Sequence, residues 1–457
     1  MSFLEREEED VRNIFGRFKN RNFKGTEGQA IKNSSFQFAT ILIAKIGALL
    51  FTILIARMLM PELFGLYTLA LSTIVLFASF SDLGVGAALI TFVSKSLGRG
   101  KAKKAKAYFK QLTKYKFYLV ILSSIILVSL AYWVSNTYYN KPIFFALLVG
   151  GLYLPIVSFI SFFEGLYKAN NNFKFPLIKE IIVQCLRLIL APLGIFFFLR
   201  AAFSNSAIVA GVILILVFCY ACALFVLTFF SRKKLGFLKS AKQKLTKKET
   251  KHLHYFILPL TATALSGVFF GYIDTIMLGH FVTEEFIGYY GAAFSLIASA
   301  AAIISFAGIA LFPIFSRLKG NVLEKAFTKT KSITFIISVL GALVAFFFAP
   351  LIIKIIYGSA YSPSIVLLKI FALLLIVLPL TGIYDSYFIS QERTKVLAIL
   401  LIVSTIINVI LNYFFITFGL NFGMDWAVMG ACGATVISRY IYLFGLGLVR
   451  KKRYGGK

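Results

Sequence analysis

Charge is scarce in this sequence, and acidic charge is scarcest. Only 14% of the 457 residues are charged, and 18 Asp and Glu stand against 48 Lys and Arg. In contrast, 59% of the residues are hydrophobic, whereas a soluble domain is about half apolar and about a quarter charged. Apolar runs of about 20 residues, enough for a helix to cross the hydrocarbon core of a bilayer, recur along the whole chain. The composition therefore excludes an ordinary soluble protein and predicts an all-α, polytopic membrane protein.

Residues that serve catalysis or bind metals are also few. His252 and His254 lie in a lysine-rich loop without acidic or Cys partners at the spacing of a metal site. Cys219 and Cys222 form a CxxC inside the apolar stretch "VFCYACALF", which is typical of small buried side chains rather than of a redox loop. We therefore expect no enzyme activity, no metal and no cofactor. A membrane-embedded glycosyltransferase or ligase would need a large external loop with catalytic residues, and the corresponding loops are short.

The N-terminus lacks the apolar core of a cleavable signal peptide, so the first apolar segment is expected to act as an uncleaved signal anchor. The apolar runs predict about twelve transmembrane spans: 33–56, 64–94, 115–135, 142–163, 175–199, 205–230, 255–279, 286–316, 332–356, 363–390, 396–418 and 426–449.

Basic residues are concentrated in alternate loops. Residues 95–116 and 231–254 each hold nine Lys and Arg, whereas the intervening loops hold one or none. Because Lys and Arg collect in cytoplasmic loops, we predict that both termini are cytoplasmic and that the protein lies in the plasma membrane. The net charge of +30 then sets orientation and attracts anionic lipid headgroups. Nucleic-acid binding is not expected.

The spans divide into two halves of six. We predict a cytoplasmic N-terminal segment (1–32), an N-terminal lobe (33–230), a basic cytoplasmic linker (231–254), a C-terminal lobe (255–449) and a basic cytoplasmic tail (450–457).

An internal repeat supports this division. An offset of 223 residues, which aligns Gly65 with Gly288, places "PELFGLYTLALS" (61–72) over "EEFIGYYGAAFS" (284–295). In both halves this stretch follows the first span and leads into an unusually long one. Because six spans return the chain to the same side, the halves are predicted to be parallel repeats, an architecture in which transporters bind substrate between the lobes.

Besides Lys116 and Lys179 at span boundaries, which are counted with the basic loops, five bases fall inside the predicted spans, where a charge costs several kcal/mol and usually faces a cavity or the bundle interior. Lys45 lies near mid-membrane, too deep for its side chain to reach the interface readily, and we predict that it lines a cavity and binds substrate. Lys354 and Lys369 are closer to span ends, and Arg439 is intermediate in depth.

The fifth base, Arg187, belongs to a polar stripe in "KEIIVQCLRLIL". Glu180, Gln184 and Arg187 follow at i, i+4 and i+7, on one helical face. If the stripe lines a cavity, Arg187 is an anion-binding guanidinium suited to phosphate. Alternatively, Glu180 and Arg187 form a structural pair, or Glu180 lies with Lys179 at the cytoplasmic headgroups.

Asp82 is an acid in the long second span, just before Gly84 and Gly86, where we expect the helix to bend or unwind. Two hypotheses remain open for it. Asp82 either pairs with a base such as Lys45 or binds a coupling cation, H+ or Na+.

Polar residues in the seventh and eleventh spans leave similar alternatives. Asp274 either pairs with Lys45 or Arg187 across the lobes or binds a coupling cation. Asn408 and Asn412 line either the cavity or a helix–helix contact, because Asn in lipid needs a hydrogen-bonding partner. Asp274 shares its helical face with the small residues Thr263, Gly267 and Gly271.

Three stretches carry a family resemblance: "ARMLMPELFGLYTLALSTIVLFASFSDLGVGAAL", "IYGSAYSPSIVLLKIFALLLIVLPLTGIYDSYFISQERTK" and "NVILNYFFITFGLNFGMDWAVMGACGATVIS". In order and spacing they resemble polysaccharide flippases of the multidrug/oligosaccharidyl-lipid/polysaccharide (MOP) exporter superfamily, over nearly the whole chain. The two extra spans usual in the lipid II branch of that superfamily are not predicted here.

The resemblance implies two six-helix lobes that form a V around a central cavity. It also implies that the substrate is a lipid-linked oligosaccharide, moved from the cytoplasmic to the outer leaflet. Cavities in the family are often cationic, which Lys45 and Arg187 match in residue type and depth. Drug-exporting relatives share the fold and favour acidic sites, so the alternative is an ion-coupled exporter of cationic drugs that uses Asp82 and Asp274. The excess of bases over acids in the spans favours an anionic substrate.

Overall fold

The protein is helical throughout the part of the chain that the computed structural model describes, residues 25–241, 243–317, 320–391 and 393–454. The helices, numbered in chain order, are α1 (Gly25–Ser79), α2 (Val85–Gly98), α3 (Ala102–Tyr132), α4 (Phe144–Ala169), α5 (Lys174–Arg200), α6 (Asn205–Lys234), α7 (Lys247–Phe281), α8 (Glu284–Arg317), α9 (Gly320–Phe347), α10 (Ala349–Ile356), α11 (Ser364–Phe371), α12 (Leu374–Ser390), α13 (Thr394–Leu420) and α14 (Met424–Tyr454). The predicted all-α class is confirmed. Most of the predicted N-terminal segment lies outside the described residues.

Eleven described segments are long and apolar enough to cross a membrane. The first of them, Lys32–Ser79, has 48 residues, about twice the length that one crossing needs. Within it, Met60 has φ 60° and ψ 171°, far from helical values, and Pro61 follows with no backbone N–H to donate. Two helical pieces, 25–59 and 61–79, therefore meet at Met60.

The neighbours of these two pieces show that the chain reverses at Met60. Gly47 packs directly against Gln184 of α5, and the Ser81 hydroxyl hydrogen bonds that of Ser158 in α4. Gln184 lies ten residues after the start of α5 and Ser158 eleven before the end of α4, and these two helix ends are on the same side. Residues 47 and 81 are therefore at similar depth. The reversal brings the crossings in the described part of the chain to twelve, the number that the apolar runs predict.

The second crossing is broken where the Asp82–Gly86 pattern predicts a bend. Between α1 and α2, Leu83 has φ 41° and Gly84 has φ 83°, both in the left-handed region. The carbonyl oxygen of Leu83 accepts a hydrogen bond from Thr261 Oγ1 of α7 at 2.9 Å. The corresponding long helix of the second half, α8, is not interrupted by such a turn.

Each half packs largely on itself, with α4 on α6 and α5 on α6 in the first, and α8 on α12 and α13 on α14 in the second. Between the halves, the most extensive contact is that of α1 with α8, and α7 also packs on α1 and α2. We call the side that holds residues 95–116 and 231–254 the base-rich end, and the opposite side the base-poor end. The two halves touch at both ends.

At the base-poor end the contact between the halves is reciprocal. A Cβ atom on Gly65 would overlap the carbonyl oxygen of Glu284, and one on Gly288 would overlap that of Pro61. The repeat offset of 223 residues relates Gly65 to Gly288 and Pro61 to Glu284. Such exchange of partners is characteristic of surfaces related by a two-fold axis.

The same offset relates Arg57 to His280, and each of these side chains contacts a main-chain carbonyl oxygen of the other half. Arg57 Nε donates to the carbonyl oxygen of Ile356 at 2.6 Å, and His280 Nδ1 lies 2.6 Å from that of Tyr138. Each side chain thus reaches from the end of the first span in its own half to the end of the third span in the other. The internal repeat is therefore present in the packing of the base-poor end as well as in the sequence.

Candidate functional site

The predicted polar stripe of α5 forms a chain of hydrogen bonds along one helical face. Gln184 Nε2 donates to Glu180 Oε1 at 2.6 Å, and Arg187 Nε donates to Gln184 Oε1 at 2.8 Å. All three side chains are buried. The absence of a side chain on Gly47 lets α1 cover this face closely.

The Arg187 guanidinium is buried without a direct ionic partner. It lies 4.5 Å from the centroid of the Phe51 ring, and its Nη2 atom has no hydrogen-bond partner among the described residues. Glu180 pairs with Lys179 at 2.6 Å instead, so the hypothesis of a direct Glu180–Arg187 pair does not hold. A stacked guanidinium with an unused N–H group is suited to bind an anion.

The remaining partner of Lys179 is Glu164 of α4, at 3.1 Å, a residue that the sequence analysis did not single out. Lys179 and Glu180 are both 8% exposed, which does not fit a place among lipid headgroups. They form a buried ionic network that links α4 to α5 at the base-rich end.

Lys45 is exposed on α1 and forms no hydrogen bond or ion pair with a described residue. It lies two residues before Gly47 and six before Phe51, or roughly 9 Å along the helix axis from the ring that carries Arg187. At about 100° per residue, Lys45 points to nearly the opposite side of α1 from Gly47. Its ammonium group therefore lies on the covering helix but does not face the α5 stripe.

Asp82 pairs with Lys116 rather than with Lys45. Lys116 Nζ lies 3.0 Å from Asp82 Oδ1, and the side chain of Lys116 is 1% exposed while that of Asp82 is 40% exposed. The same oxygen accepts the backbone N–H of Gly86 at 3.1 Å, so Asp82 also caps the start of α2. Hydropathy places the span boundary at Lys116, which was therefore predicted to belong to the basic loop.

Asp274 contacts neither Lys45 nor Arg187 among the described residues, so of its two hypotheses the pair across the lobes is not supported by these contacts. Its carboxylate points into the second half, where Tyr290 Oη donates at 2.9 Å, Thr435 Oγ1 donates at 2.6 Å and Asn412 Nδ2 also donates. Three donors satisfy this buried charge, which forms no salt bridge with a described residue.

Asn408 and Asn412 contribute both to packing and to this polar cluster. Asn408 Nδ2 donates to Ser438 Oγ at 3.2 Å, which joins α13 to α14. The Oδ1 atoms of both Asn side chains are buried and have no partner in the described part of the chain. Amide oxygens are among the ligands that hard cations prefer, and Asn412 contacts the Asp274 carboxylate through its Nδ2 atom. Among the described residues, no group of three or more His, Cys, Asp and Glu is placed to hold a metal ion.

The face of α7 that carries Asp274 borders open space. A Cβ atom added to Gly267 or Gly271 would meet no atom within 4 Å. The side chain of Thr263, on the same predicted face, lies outside the described ones. Asp274 itself is buried, so it lies where the open stretch at Gly267 and Gly271 ends and the helices of the second half pack on α7.

The other bases in the spans have local roles. Arg439 lies 3.5 Å from the centroid of the Phe270 ring and donates to the Phe270 carbonyl oxygen at 2.7 Å. Lys369 lies 5.6 Å from the Phe346 ring, and Lys354 is exposed. These side chains are not brought to Arg187.

Sequence reasoning missed Lys116, Tyr290 and Thr435 as partners of the two acids. A signal existed for Tyr290, because the repeat offset aligns it with Tyr67. Thr435 lies in a run of small residues without polar periodicity, and nothing in the sequence marked it.

Comparison with known proteins assigns the chain to a family. A family model described as polysaccharide biosynthesis protein matches residues 30–319, and one described as MatE matches residues 259–414. Stage V sporulation protein B of Bacillus subtilis (strain 168) is 23% identical over 344 residues, which cover 70% of this chain and 65% of that relative. The chain thus matches about two thirds of the length of that relative.

Two solved structures share the fold. The lipid II flippase MurJ in an inward closed conformation has a TM-score of 0.70 at 16% identity, over 91% of this chain and 87% of that one. An inward-facing multidrug resistance MATE family transporter of the MOP superfamily has a TM-score of 0.68 at 15% identity, over 91% and 96%. Since the first family model covers well over half of the chain, the protein belongs to the polysaccharide biosynthesis protein family and has the all-α fold of the MOP superfamily.

Proposed function

We propose that the protein is a flippase that moves a lipid-linked oligosaccharide, a glycan on polyprenyl or dolichyl phosphate, from the cytoplasmic to the outer leaflet of the plasma membrane. Membership of the polysaccharide biosynthesis family supports a glycan substrate. Likeness to a lipid II flippase supports a lipid carrier. In this proposal the base-rich end and both termini face the cytoplasm, as the distribution of Lys and Arg favours.

The observation that carries the proposal is the buried guanidinium of Arg187. Its stacking on Phe51 and its hydrogen bond to Gln184 fix its orientation before a ligand arrives, while Nη2 is left to donate. A guanidinium in this state binds a phosphate oxygen through a charge-assisted hydrogen bond, and the exposed ammonium of Lys45 supplies a second positive charge. The lipid tail stays in the bilayer, so the protein has to shelter the headgroup alone.

Transport in this proposal follows alternating access. The reciprocal contacts of Gly65 and Gly288 hold the base-poor end shut, and they separate to release the glycan on that side. The contacts of α7 with α2 hold the base-rich end together when the other end opens. Because the two halves are related by the repeat, a rocking motion exchanges one closed end for the other.

We further propose that a coupling cation, Na+ or H+, binds at Asp274. The Oδ1 atoms of Asn408 and Asn412 have no hydrogen-bond partner among the described residues, which fits Na+ ligation beside the carboxylate. Asp82 and Glu180 are less suited, because Lys116 and Lys179 already pair with them. Addition of Na+ in place of K+ is expected to raise the melting temperature of the purified protein, and Asp274→Asn is expected to abolish that rise. An equal rise in both proteins would overturn the assignment.

The flippase is tested in proteoliposomes with a fluorescent lipid-linked oligosaccharide and by complementation of a glycan-export defect. Arg187→Ala and Lys45→Ala are expected to lose activity at normal expression, whereas Lys354→Ala, which removes an exposed base elsewhere in a span, keeps it. Full activity of both site variants would refute the cationic site.

The second candidate function is ion-coupled export of cationic drugs. The MatE match over residues 259–414 and the buried acid Asp274 within it favour this alternative. It predicts that expression raises resistance to organic cations in a manner that requires Asp274. If expression leaves resistance to organic cations unchanged and restores glycan export, the result supports the flippase over the drug exporter.

A further inference from the structure

A cavity of about 330 Å³ opens at the base-rich end, where the two halves meet. One wall consists of α2, the turn after it and the first turns of α3, all from the first half. The first turns of α7, from the second half, form the other wall. This cavity is separate from Arg187, Lys45 and Asp274, none of which lines it.

The lining of the cavity is strongly cationic. Its charged residues are the five bases Lys95, Arg99, Lys101, Lys104 and Lys248 and the single acid Glu249. Glu249 is paired with Lys104 and also caps α7 through the backbone N–H of Thr246. These hydrogen bonds, first that of Lys104, hold the pKa of Glu249 below its usual value, so this acid is ionised and already engaged. The other four bases form no ion pair with a described residue.

The deep part of the cavity is a fixed aromatic surface. Phe92 stacks on Tyr108 with 4.9 Å between ring centroids and meets the His252 ring edge-on at 5.6 Å. Phe92 and Tyr108 are buried. The positive charges are therefore arranged around a rigid wall rather than spread over a flat surface.

The depth of the cavity matches the headgroup layer of a bilayer. Ile90, an exposed apolar residue of α2, lies five residues before Lys95, and the exposed Tyr255 of α7 lies three residues after His252. At about 1.5 Å per residue these separations are roughly 5 to 8 Å, comparable to the thickness of one headgroup layer.

We propose that this cavity is a binding site for a phosphate-bearing anion, either the headgroup of an anionic phospholipid or a soluble phosphate compound. Its ligand contacts Arg99 and Lys101 of the first half and Lys248 of the second at once. Without an anion these bases repel one another across the boundary between the halves. A bound phosphate therefore strengthens the contact of α7 with α2 and α3 at the base-rich end. This site is independent of the proposed substrate site.

The test measures binding to the full-length protein in detergent with three probes: dioctanoyl phosphatidylglycerol, dioctanoyl phosphatidylcholine and inorganic phosphate. Phosphatidylglycerol or inorganic phosphate is expected to bind saturably and more tightly than zwitterionic phosphatidylcholine, and the tighter of the two identifies the source of the phosphate group. Arg99→Gln/Lys248→Gln is expected to weaken that binding about 30-fold, the combined effect of two bases.

Two further variants keep this test specific. Lys103→Gln/Lys110→Gln removes the same charge from exposed positions of α3 outside the cavity and is expected to leave the affinity within about twofold. Arg99→Lys/Lys248→Arg keeps the charge and is expected to retain binding. The proposal is overturned if phosphatidylcholine binds as tightly as the anionic probes, or if the two glutamine variants weaken binding equally. Because the readout is binding, these results do not depend on whether the protein flips a glycolipid.

Discussion

Gly65 and Gly288 occupy corresponding positions in the two halves, and each lies against the backbone of the other half. The side chain of any other residue at either position would overlap a main-chain carbonyl oxygen, of Glu284 in one case and of Pro61 in the other. Backbone atoms cannot turn aside as a flexible side chain can. The close approach of α1 and α8 thus depends on two glycines that the repeat brings together.

Gly65→Ala is expected to separate the halves at the base-poor end. Lys141 Nζ and Glu284 Oε2 lie 3.3 Å apart there, so a carbodiimide is expected to condense these two side chains into an amide cross-link between the halves. Gly65→Ala should lower the cross-linking yield severalfold. Gly98→Ala is the matched control, because a Cβ atom on Gly98 meets nothing within 4 Å. An unchanged yield with Gly65→Ala would contradict the close packing.

Asp82→Asn is expected to destabilise the protein by about 2 kcal/mol, because it leaves the buried ammonium of Lys116 without a counter-charge. The loss is kept moderate by the partial exposure of Asp82. Asp82→Asn/Lys116→Met should regain most of the stability, since it removes both charges. Thermal unfolding in detergent measures the effect, with Lys114→Met, an exposed base two residues away, as control. A double variant as unstable as Asp82→Asn would show that the pair does not act as a unit.

Thr435→Val is expected to lower the free energy of unfolding by about 2 kcal/mol, the contribution of a hydrogen bond to a buried charge. Tyr290→Phe removes a second donor to the same oxygen of Asp274 and should cost a similar amount. Because the two donors share one acceptor, the costs should not add. Thr417→Val, which removes a hydroxyl bonded within its own helix, is the control and should be nearly neutral.

Orientation in the membrane can be read from cysteine labelling. Ser240→Cys at the base-rich end is expected to react with a membrane-impermeant maleimide only after cells are permeabilised. Asn421→Cys at the base-poor end is expected to react in intact cells. The native cysteines are replaced in both cases. The reverse pattern would place the termini outside and refute the assignment based on Lys and Arg.

Features that depend on local sequence were predictable. The lengths of the apolar runs predicted the twelve crossings, and Gly84 after Asp82 predicted the break in the second. The 3.6-residue period placed Glu180, Gln184 and Arg187 on one face. Each of these follows from hydropathy or helix geometry along a single segment.

Contacts between segments were not predictable in the same way. Lys45 was one predicted partner of Asp82, which pairs with Lys116 instead. A pair across the lobes was one of two hypotheses for Asp274, which accepts hydrogen bonds from Tyr290 and Thr435. The partner of a buried acid depends on how neighbouring helices are rotated about their axes, and a single sequence gives the period of a helix but not its rotation. Hydropathy also cannot tell a lysine at the membrane surface from one that is buried a turn deeper, as with Lys116.

The turn between α1 and α2 has an energetic consequence for transport. Breaking the helix frees the carbonyl oxygen of Leu83, and Thr261 of the opposite half is its hydrogen-bond partner in the described structure. When the halves separate at the base-rich end, this oxygen loses its partner. Unless water or a ligand replaces Thr261, the open state is destabilised by about 1 to 3 kcal/mol, the cost of an unsatisfied buried carbonyl. The interrupted helix therefore favours the state in which Leu83 and Thr261 are in contact. Entry of water to the Leu83 carbonyl is a required step each time the halves separate there.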